Sequence, residues 1–290
     1  VRTSDSGGIS PFLPPAKTPG SRRESGGSVS TEQPQPALDQ VMAALHRSHD
    51  RLAGLVAPLT KEHLESASYD SEWSIAQVLS HLGSGAEIFG LFVDAGVRGV
   101  ETLGNEVFPP VWDRWNAKTP DEQAHDALNA DTALLDQIDA LSPGDREKWH
   151  LTMFGAYRSL RDVAAMRIGE HAVHTWDVAV ALDAGATVAP DAVELLIDNL
   201  TDLVARAGKP LDQDIRVRVT THHPDRKFVL VIDADGVALS ASGLDDEGEA
   251  PALTLSAEAV VRLVYVRLDP GHTPSLTTTG IDIDTLRRVF

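Results

Sequence analysis

Glu170 and His174 stand four residues apart in the run MRIGEHAVHTWDVAVALD. Four residues is about one helical turn, so on a helix both side chains leave the same face within reach of a single ion. A second segment, SEWSIAQVLSHLGSGAEIF, carries His81 beside an apolar arc of Ile75, Val78, Leu79 and Leu82. Two imidazoles and one carboxylate are a donor set for a divalent metal, zinc being the expected ion. Three protein ligands leave a coordination position open, which is the pattern of a catalytic site more than of a structural one. Taken alone, a Glu-x-x-x-His pair is commonly a solvated contact along a helix, and a histidine beside an apolar stripe is commonly a hydrogen-bonded core residue. The context argues further: Val178, Ala179, Val180, Ala181 and Leu182 follow the cluster directly. Unpaired charge within so apolar a helix is costly, and a bound cation would offset it.

Neighbouring residues suggest supporting roles. Asp177 lies one turn beyond His174 and can accept a hydrogen bond from a ligand imidazole or orient a bound water; an ion pair with Arg167 or Arg158 would serve it equally. His171 points about 100° away from Glu170 and is expected at the surface rather than as a fourth ligand. Trp73 and Trp176 read as core aromatics that hold the ligand-bearing helices. His222 and His223, before Pro224, read as a solvated pair at a strand end.

These side chains must be positioned by helices. Apolar residues from Pro36 to Leu59 recur at three and four residues, as in an amphipathic helix. After a turn over Thr60–Asp70, a second helix is expected over Trp73–Val97, with Ser74 or Asp70 near its cap. A short helix over Asn105–Asn116 is followed by one that Thr119 caps and Pro120 opens, running to Leu141, where Pro143-Gly144 breaks the chain. The helix carrying Glu170 and His174 spans Ser159–Leu182, with Gly185 as its left-handed terminator, and another covers Pro190–Ala207. Four long helices suit a bundle that can hold a metal between facing members.

Beyond Gly208-Lys209-Pro210 the pattern changes. IRVRVTTHH and KFVLVIDADGVALSASG alternate at period two around an Asp235-Gly236 turn. SAEAVVRLVYVRL returns to helical spacing, SLTTTG reads as an edge strand and IDIDTLRRVF as a terminal helix. The expected class is mainly α plus α+β: a tail over residues 1–35, a helical bundle over 36–208 and a small α+β domain over 212–290. The Ser, Gly and Pro of the tail cannot offset chain entropy by burial, so it is expected to be disordered. Val1 reads as a start at a GTG codon, with Val29 as an alternative start.

Composition narrows the function. The chain of 290 residues has 43 acidic against 25 basic residues, a formal charge of -18. No basic run appears, which argues against nucleic acid and anionic membrane as partners. No segment approaches the length of apolar sequence that spans a bilayer, no signal peptide is evident, and a cytoplasmic monomer or homodimer is expected. Cysteine is absent. Disulfides and thiolate ligands are thereby excluded, and any thiol chemistry would need a thiol from a small molecule.

The motifs W-S-I-x-x-V-L-x-H-L at Trp73–Leu82 and E-x-x-V-H-T-W-D-V-A-x-A-L at Glu170–Leu182 resemble the mycothiol-dependent maleylpyruvate isomerase family. The second motif is the more specific, and the likeness extends from about Pro36 to the C-terminus. The resemblance implies a DinB-like metal-binding four-helix bundle followed by a C-terminal α+β domain that helps close the site. By position it implies zinc ligation by His81, Glu170 and His174, mycothiol as the thiol cofactor, and an acidic or electrophilic small molecule as substrate. It also places Arg267 near an arginine that meets a substrate carboxylate, although Val266 stands where the family has glycine. Arg267 equally suits a helix C-terminus as a charge opposing the dipole. The implied reaction is addition of the cofactor thiolate to an unsaturated or electrophilic carbon. Cis-trans isomerisation and S-transfer share that step, and a metal-binding ligand sensor without turnover is the alternative.

Overall fold

A computed structural model of the chain describes residues 36–69, 72–153, 155–241 and 251–290. The tail over 1–35 and Asp70, weighed above as a cap, lie outside the described residues.

Four long helices form the bundle: α1 (Leu38–Val56), α3 (Ile75–Val97), α5 (Pro120–Asp139) and α7 (Leu160–Leu182). Packing of α1 on α7 and α5, and of α3 on α5 and α7, closes the four into a ring. Three of them begin at sequence-encoded capping boxes: Ser74 with Gln77, Thr119 with Glu122 and Ser159 with Asp162. Each hydroxyl accepts a backbone N–H of the first turn while the partner side chain reaches back to the cap. Between these helices run α2 (Lys61–Glu65), α4 (Phe108–Asn116, after a 3₁₀ turn at Asn105–Val107) and α6 (Pro143–Lys148). A hairpin of β1 (His150–Met153) and β2 (Ala156–Ser159) leads into α7.

Three local expectations are corrected. The Thr60–Asp70 turn contains α2, because Thr60 Oγ1 accepts from His63 N at 3.4 Å and starts a helical turn. Pro143-Gly144 opens α6 instead of breaking the chain: Ser142 caps it and proline occupies a first-turn position that needs no donor. Gly185 is not the left-handed end of α7. That helix stops at Asp183 in extended conformation (φ -141), and Gly185 N donates to the Asp183 carboxylate. The β1–β2 hairpin was not anticipated, since four residues are too few for alternation to register.

The helix expected over Pro190–Ala207 is divided into α8 (Pro190–Leu196) and α9 (Leu200–Ala207) by a 3₁₀ turn at Ile197–Asn199. Asn199 Nδ2 donates to the Leu195 carbonyl at 2.5 Å, taking the acceptor its own backbone N–H would use in a continuous helix.

A five-stranded sheet follows, with β3 (Ile215–His222), β4 (Arg226–Asp233), β5 (Gly236–Ala241), β6 (Ala252–Ser256) and β7 (Thr277–Thr279) in the order β5-β4-β3-β6-β7. Val217, Val219 and Thr221 bury one face of β3, as its alternation requires. The strand β6, parallel to β3, was hidden in the sequence by its direct continuation into α10 (Ala257–Val264). SLTTTG supplies the edge strand β7, and α11 (Ile283–Arg287) lies near the C-terminus. One buried apolar cluster runs from α1 to the last residues of the chain. Among the described residues no helix is long and apolar enough to cross a membrane.

Candidate metal centre

The Ser74 cap sets the start of α3, and two turns later His81 projects into the bundle with the Trp73 ring against it at 5.5 Å. Opposite, α7 presents Glu170 and His174. His81 Nε2 lies 3.5 Å and His174 Nε2 3.7 Å from Glu170 Oε2, and the imidazole centroids are 4.4 Å apart. One donor atom from each residue falls within 4.8 Å of the others, in the one such cluster among the described residues. These separations are at or beyond the limit of a hydrogen bond. They suit an ion better: ligand atoms bonded at about 2.1 Å to a tetrahedral zinc lie about 3.4 Å apart. The residues present therefore fit a divalent cation held by two nitrogens and one oxygen, with a further position open.

Protonation at His81 and Glu170 agrees with that donor set, whereas at His174 a cation would have to displace a proton. Burial, with the adjacent His174 charge, pushes His81 down to about 4, so its lone pair is available at neutral pH. Burial alone would raise Glu170, but the His174 and His81 imidazoles outweigh it and hold the carboxyl well below its usual range. Burial likewise opposes the charged form of His174, yet its contacts with Asp177 and Glu170 raise it overall.

Asp177 acts on this centre from one turn away. Its Oδ2 is 2.8 Å from His174 Nδ1, and Arg267 Nη2 is farther from the same nitrogen, at 3.4 Å. The nearer carboxylate favours a proton on Nδ1, which leaves the Nε2 lone pair directed at Glu170 and His81. Arg167 and Arg158, weighed above as partners of Asp177, pair instead with Asp131 and Asp202. The partner of Asp177 is Arg267, whose Nε and Nη2 donate to the carboxylate at 2.9 and 2.8 Å. Burial would raise Asp177, but the Arg267 charge and the His174 contact bring it down to about 2.

Arg267 reaches this position because α10 ends abruptly. Val266 N donates to Leu263 O and Arg267 N to Arg262 O, the two bonds of a Schellman motif, and Val266 takes φ 63. Glycine adopts this conformation freely, whereas a β-branched residue is strained in it. The turn swings Arg267 back against α7, where Nη1 donates to the Tyr265 carbonyl at 2.6 Å. Nη1 keeps one N–H beyond these bonds, whereas Nη2 is shared between Asp177 and the longer contact with His174 Nδ1. Further links tie α7 to the C-terminal elements: Tyr69 N donates to Asp177 O, Tyr69 Oη donates to Asp269, and Arg262 lies over the Trp176 ring at 4.8 Å.

His171 is not at the surface. It is fully buried, with Nδ1 2.8 Å from Ser48 Oγ and Nε2 3.1 Å from Asp131. Asp131 also binds Arg167 at 2.8 Å and His49 at 2.9 Å. This network across α1, α5 and α7 was missed, although a signal existed. Asp131 falls on the core stripe of Ala127, Leu134 and Ile138, and Arg167 and His171 fall on that of Leu160, Val163, Ala164 and Ile168. Charges on a buried stripe imply partners on facing helices. His222 ends β3 and His223 follows it, and both residues are exposed.

A four-helix bundle of this connectivity, followed by a C-terminal α+β region, has a DinB-like fold. Residues 45–179 match the family model described as the mycothiol maleylpyruvate isomerase N-terminal domain. The whole fold is similar to a crystal structure of the mycothiol-dependent maleylpyruvate isomerase, with a TM-score of 0.62, 13% identity, and coverage of 84% of this chain and 93% of that one. A structure of a histidine-to-alanine mutant of the same enzyme gives the same values, with TM-score 0.62, 13% identity and coverage of 84% and 93%. No curated protein sequence matches the chain.

Proposed function

We propose that this protein is a metal-dependent, mycothiol-using enzyme that acts on an unsaturated acid, as a maleylpyruvate isomerase does. The observation that carries this reading is the spacing of His81, Glu170 and His174 around a point suited to an ion. A divalent metal at that point, zinc by its nitrogen and oxygen donors, would hold the cofactor thiol as a thiolate able to add to and leave the substrate double bond.

The chain's own residues supply the rest. His81 offers a neutral Nε2, His174 would offer its own once the cation displaced the proton there, and Glu170 offers an ionised oxygen that offsets part of the cation's charge. Asp177 fixes the tautomer and ring orientation of His174. Arg267 keeps Asp177 ionised, and the remaining N–H of its Nη1 can receive an anionic oxygen of the substrate. The apolar surroundings, Trp73 among them, limit water around the reacting atoms.

The test is metal analysis joined to an assay with mycothiol and maleylpyruvate. Wild-type protein is expected to carry about one equivalent of zinc, as a three-ligand site requires, and to isomerise the substrate. His81→Ala and His174→Ala should lose both metal and turnover. Wild-type metal content in both variants would overturn the site, and formation of a stable thioether product would replace isomerisation by S-transfer.

A further inference from the structure

Arg167 is buried on α7, one turn before Glu170 and two before His174, so the three side chains share one face of the helix. Across the gap, His81 of α3 meets Glu170 and His174, while Gly85, one turn further along α3, meets the Arg167 guanidinium. A Cβ at Gly85 would lie 3.1 Å from Nη1, so glycine is what lets the guanidinium lie close against α3. Nη2 donates to the Leu82 carbonyl at 3.1 Å, and the guanidinium carbon lies 5.8 Å from the Phe89 ring centroid. Leu82 directly follows His81 in the chain. One planar group thus bridges the two helices that carry the candidate ligands, in the layer of the bundle next to them.

Asp131 of α5 holds that group in place. Its Oδ1 accepts from the same Nη2 at 2.8 Å, and its Oδ2 lies 2.9 Å from His49 Nδ1 and 3.1 Å from His171 Nε2. Ser48 Oγ, 2.8 Å from His171 Nδ1, ties the far side of that ring to α1. A chain of serine, histidine and aspartate can activate a nucleophile only where a substrate reaches the hydroxyl, and all three residues are buried. Stability does not account for the charges either, since a buried ion pair gains little over apolar residues of the same volume. What the network supplies is direction: α1, α5 and α7 meet at one carboxylate, and Arg167 extends the contact to α3 beside His81.

We infer that the Arg167–Asp131 pair positions the donor atoms of the candidate metal centre by fixing α3 against α7. The inference rests on the reading of His81, Glu170 and His174 as metal ligands. Arg167 and Asp131 are positioning residues, acting through the Leu82 carbonyl and the shared face of α7.

The experiment uses full-length protein and zinc alone, with affinity measured by competition with a chromophoric chelator, and the visible spectrum of the cobalt-substituted protein as a second readout. Arg167→Lys keeps the charge but loses the planar fork that serves Asp131 and Leu82 together. Arg167→Met combined with Asp131→Asn removes both charges and leaves His49 and His171 a polar partner, so no buried ion is stranded. Both proteins are expected to lose zinc affinity about tenfold or more and to show altered cobalt bands. Leu239→Ala, a cavity in β5, should lower the melting temperature and leave zinc affinity and the cobalt spectrum as in wild type. Wild-type affinity and spectrum in Arg167→Lys would overturn the inference, as would an equal loss of affinity in Leu239→Ala; if the double variant fails to fold, the lysine variant decides alone. Absence of zinc binding by wild type would overturn the metal centre and the proposed function with it. Zinc binding that depends on Arg167, in a protein inert toward mycothiol and maleylpyruvate, would overturn the proposed function and leave the inference standing.

Discussion

Asp177 does two jobs with one carboxylate: it orients the His174 imidazole through Oδ2 and neutralises the buried guanidinium of Arg267. Replacement by asparagine keeps the shape and removes the charge, so Arg267 becomes an uncompensated buried cation. Breaking such a pair costs about 3–5 kcal/mol, and losing a carboxylate behind a metal-bound histidine lowers metal affinity roughly 10–100-fold. Asp177→Asn is therefore expected to lose both denaturant stability and zinc affinity. Loss of stability with unchanged affinity would reduce Asp177 to an interlocking residue and remove its link to His174.

Two junctions between elements carry separate energetic signatures. At the end of α10, Val266 occupies the left-handed position of the Schellman motif with its side chain exposed, so it contributes little packing there. Val266→Gly should relieve strain of about 1 kcal/mol and raise the melting temperature, while leaving the bonds that aim Arg267 intact. A lower melting temperature would mean that unfolded-chain entropy outweighs the strain. Between α1 and α5, the hydrogen bond from His49 to Asp131 raises the histidine above 6.5, and burial of Asp131 is outweighed by its His171 and Arg167 partners, which hold it well below 3.8. A raised histidine contributes fully below its unfolded value and is lost as pH rises through its folded one. A depressed aspartate contributes above its unfolded value and is lost on acidification. The stability gap between wild type and His49→Gln should thus be widest between 3.8 and 6.5 and close as the solution becomes alkaline. A gap independent of pH across that range would show that the contact is not an ion pair.

On the scale of the whole molecule, the candidate metal centre sits on helices that are already supported. Caps start α3 and α7, and a continuous apolar core joins the bundle to the sheet. The fold therefore has no need of the ion, unlike a small domain that folds only around its metal. Protein stripped by a chelator should keep its helical circular dichroism and lose turnover, and zinc should restore it. Global unfolding on chelation would make the site structural.

What was legible in the sequence was local and periodic. Helix starts at Ser74, Thr119 and Ser159 were readable because caps act over three residues, and the shared face of Glu170 and His174 on α7 because one turn fixes which side chains lie together. Alternation located β3 to β5 for the same reason. The division of α8 from α9, the parallel strand β6 and the hairpin before α7 escaped, since a side-chain bond, a strand merging into a helix and a four-residue ladder leave no period. The partners of Asp177, His171 and Asp131 escaped for a deeper reason: Arg267 lies in another part of the chain, and Ser48, His49 and Arg167 are on other helices or turns. Spacing along a chain says which residues share a face, and only the closing of α7 against α1, α5 and the end of α10 decides which charges meet across the gap.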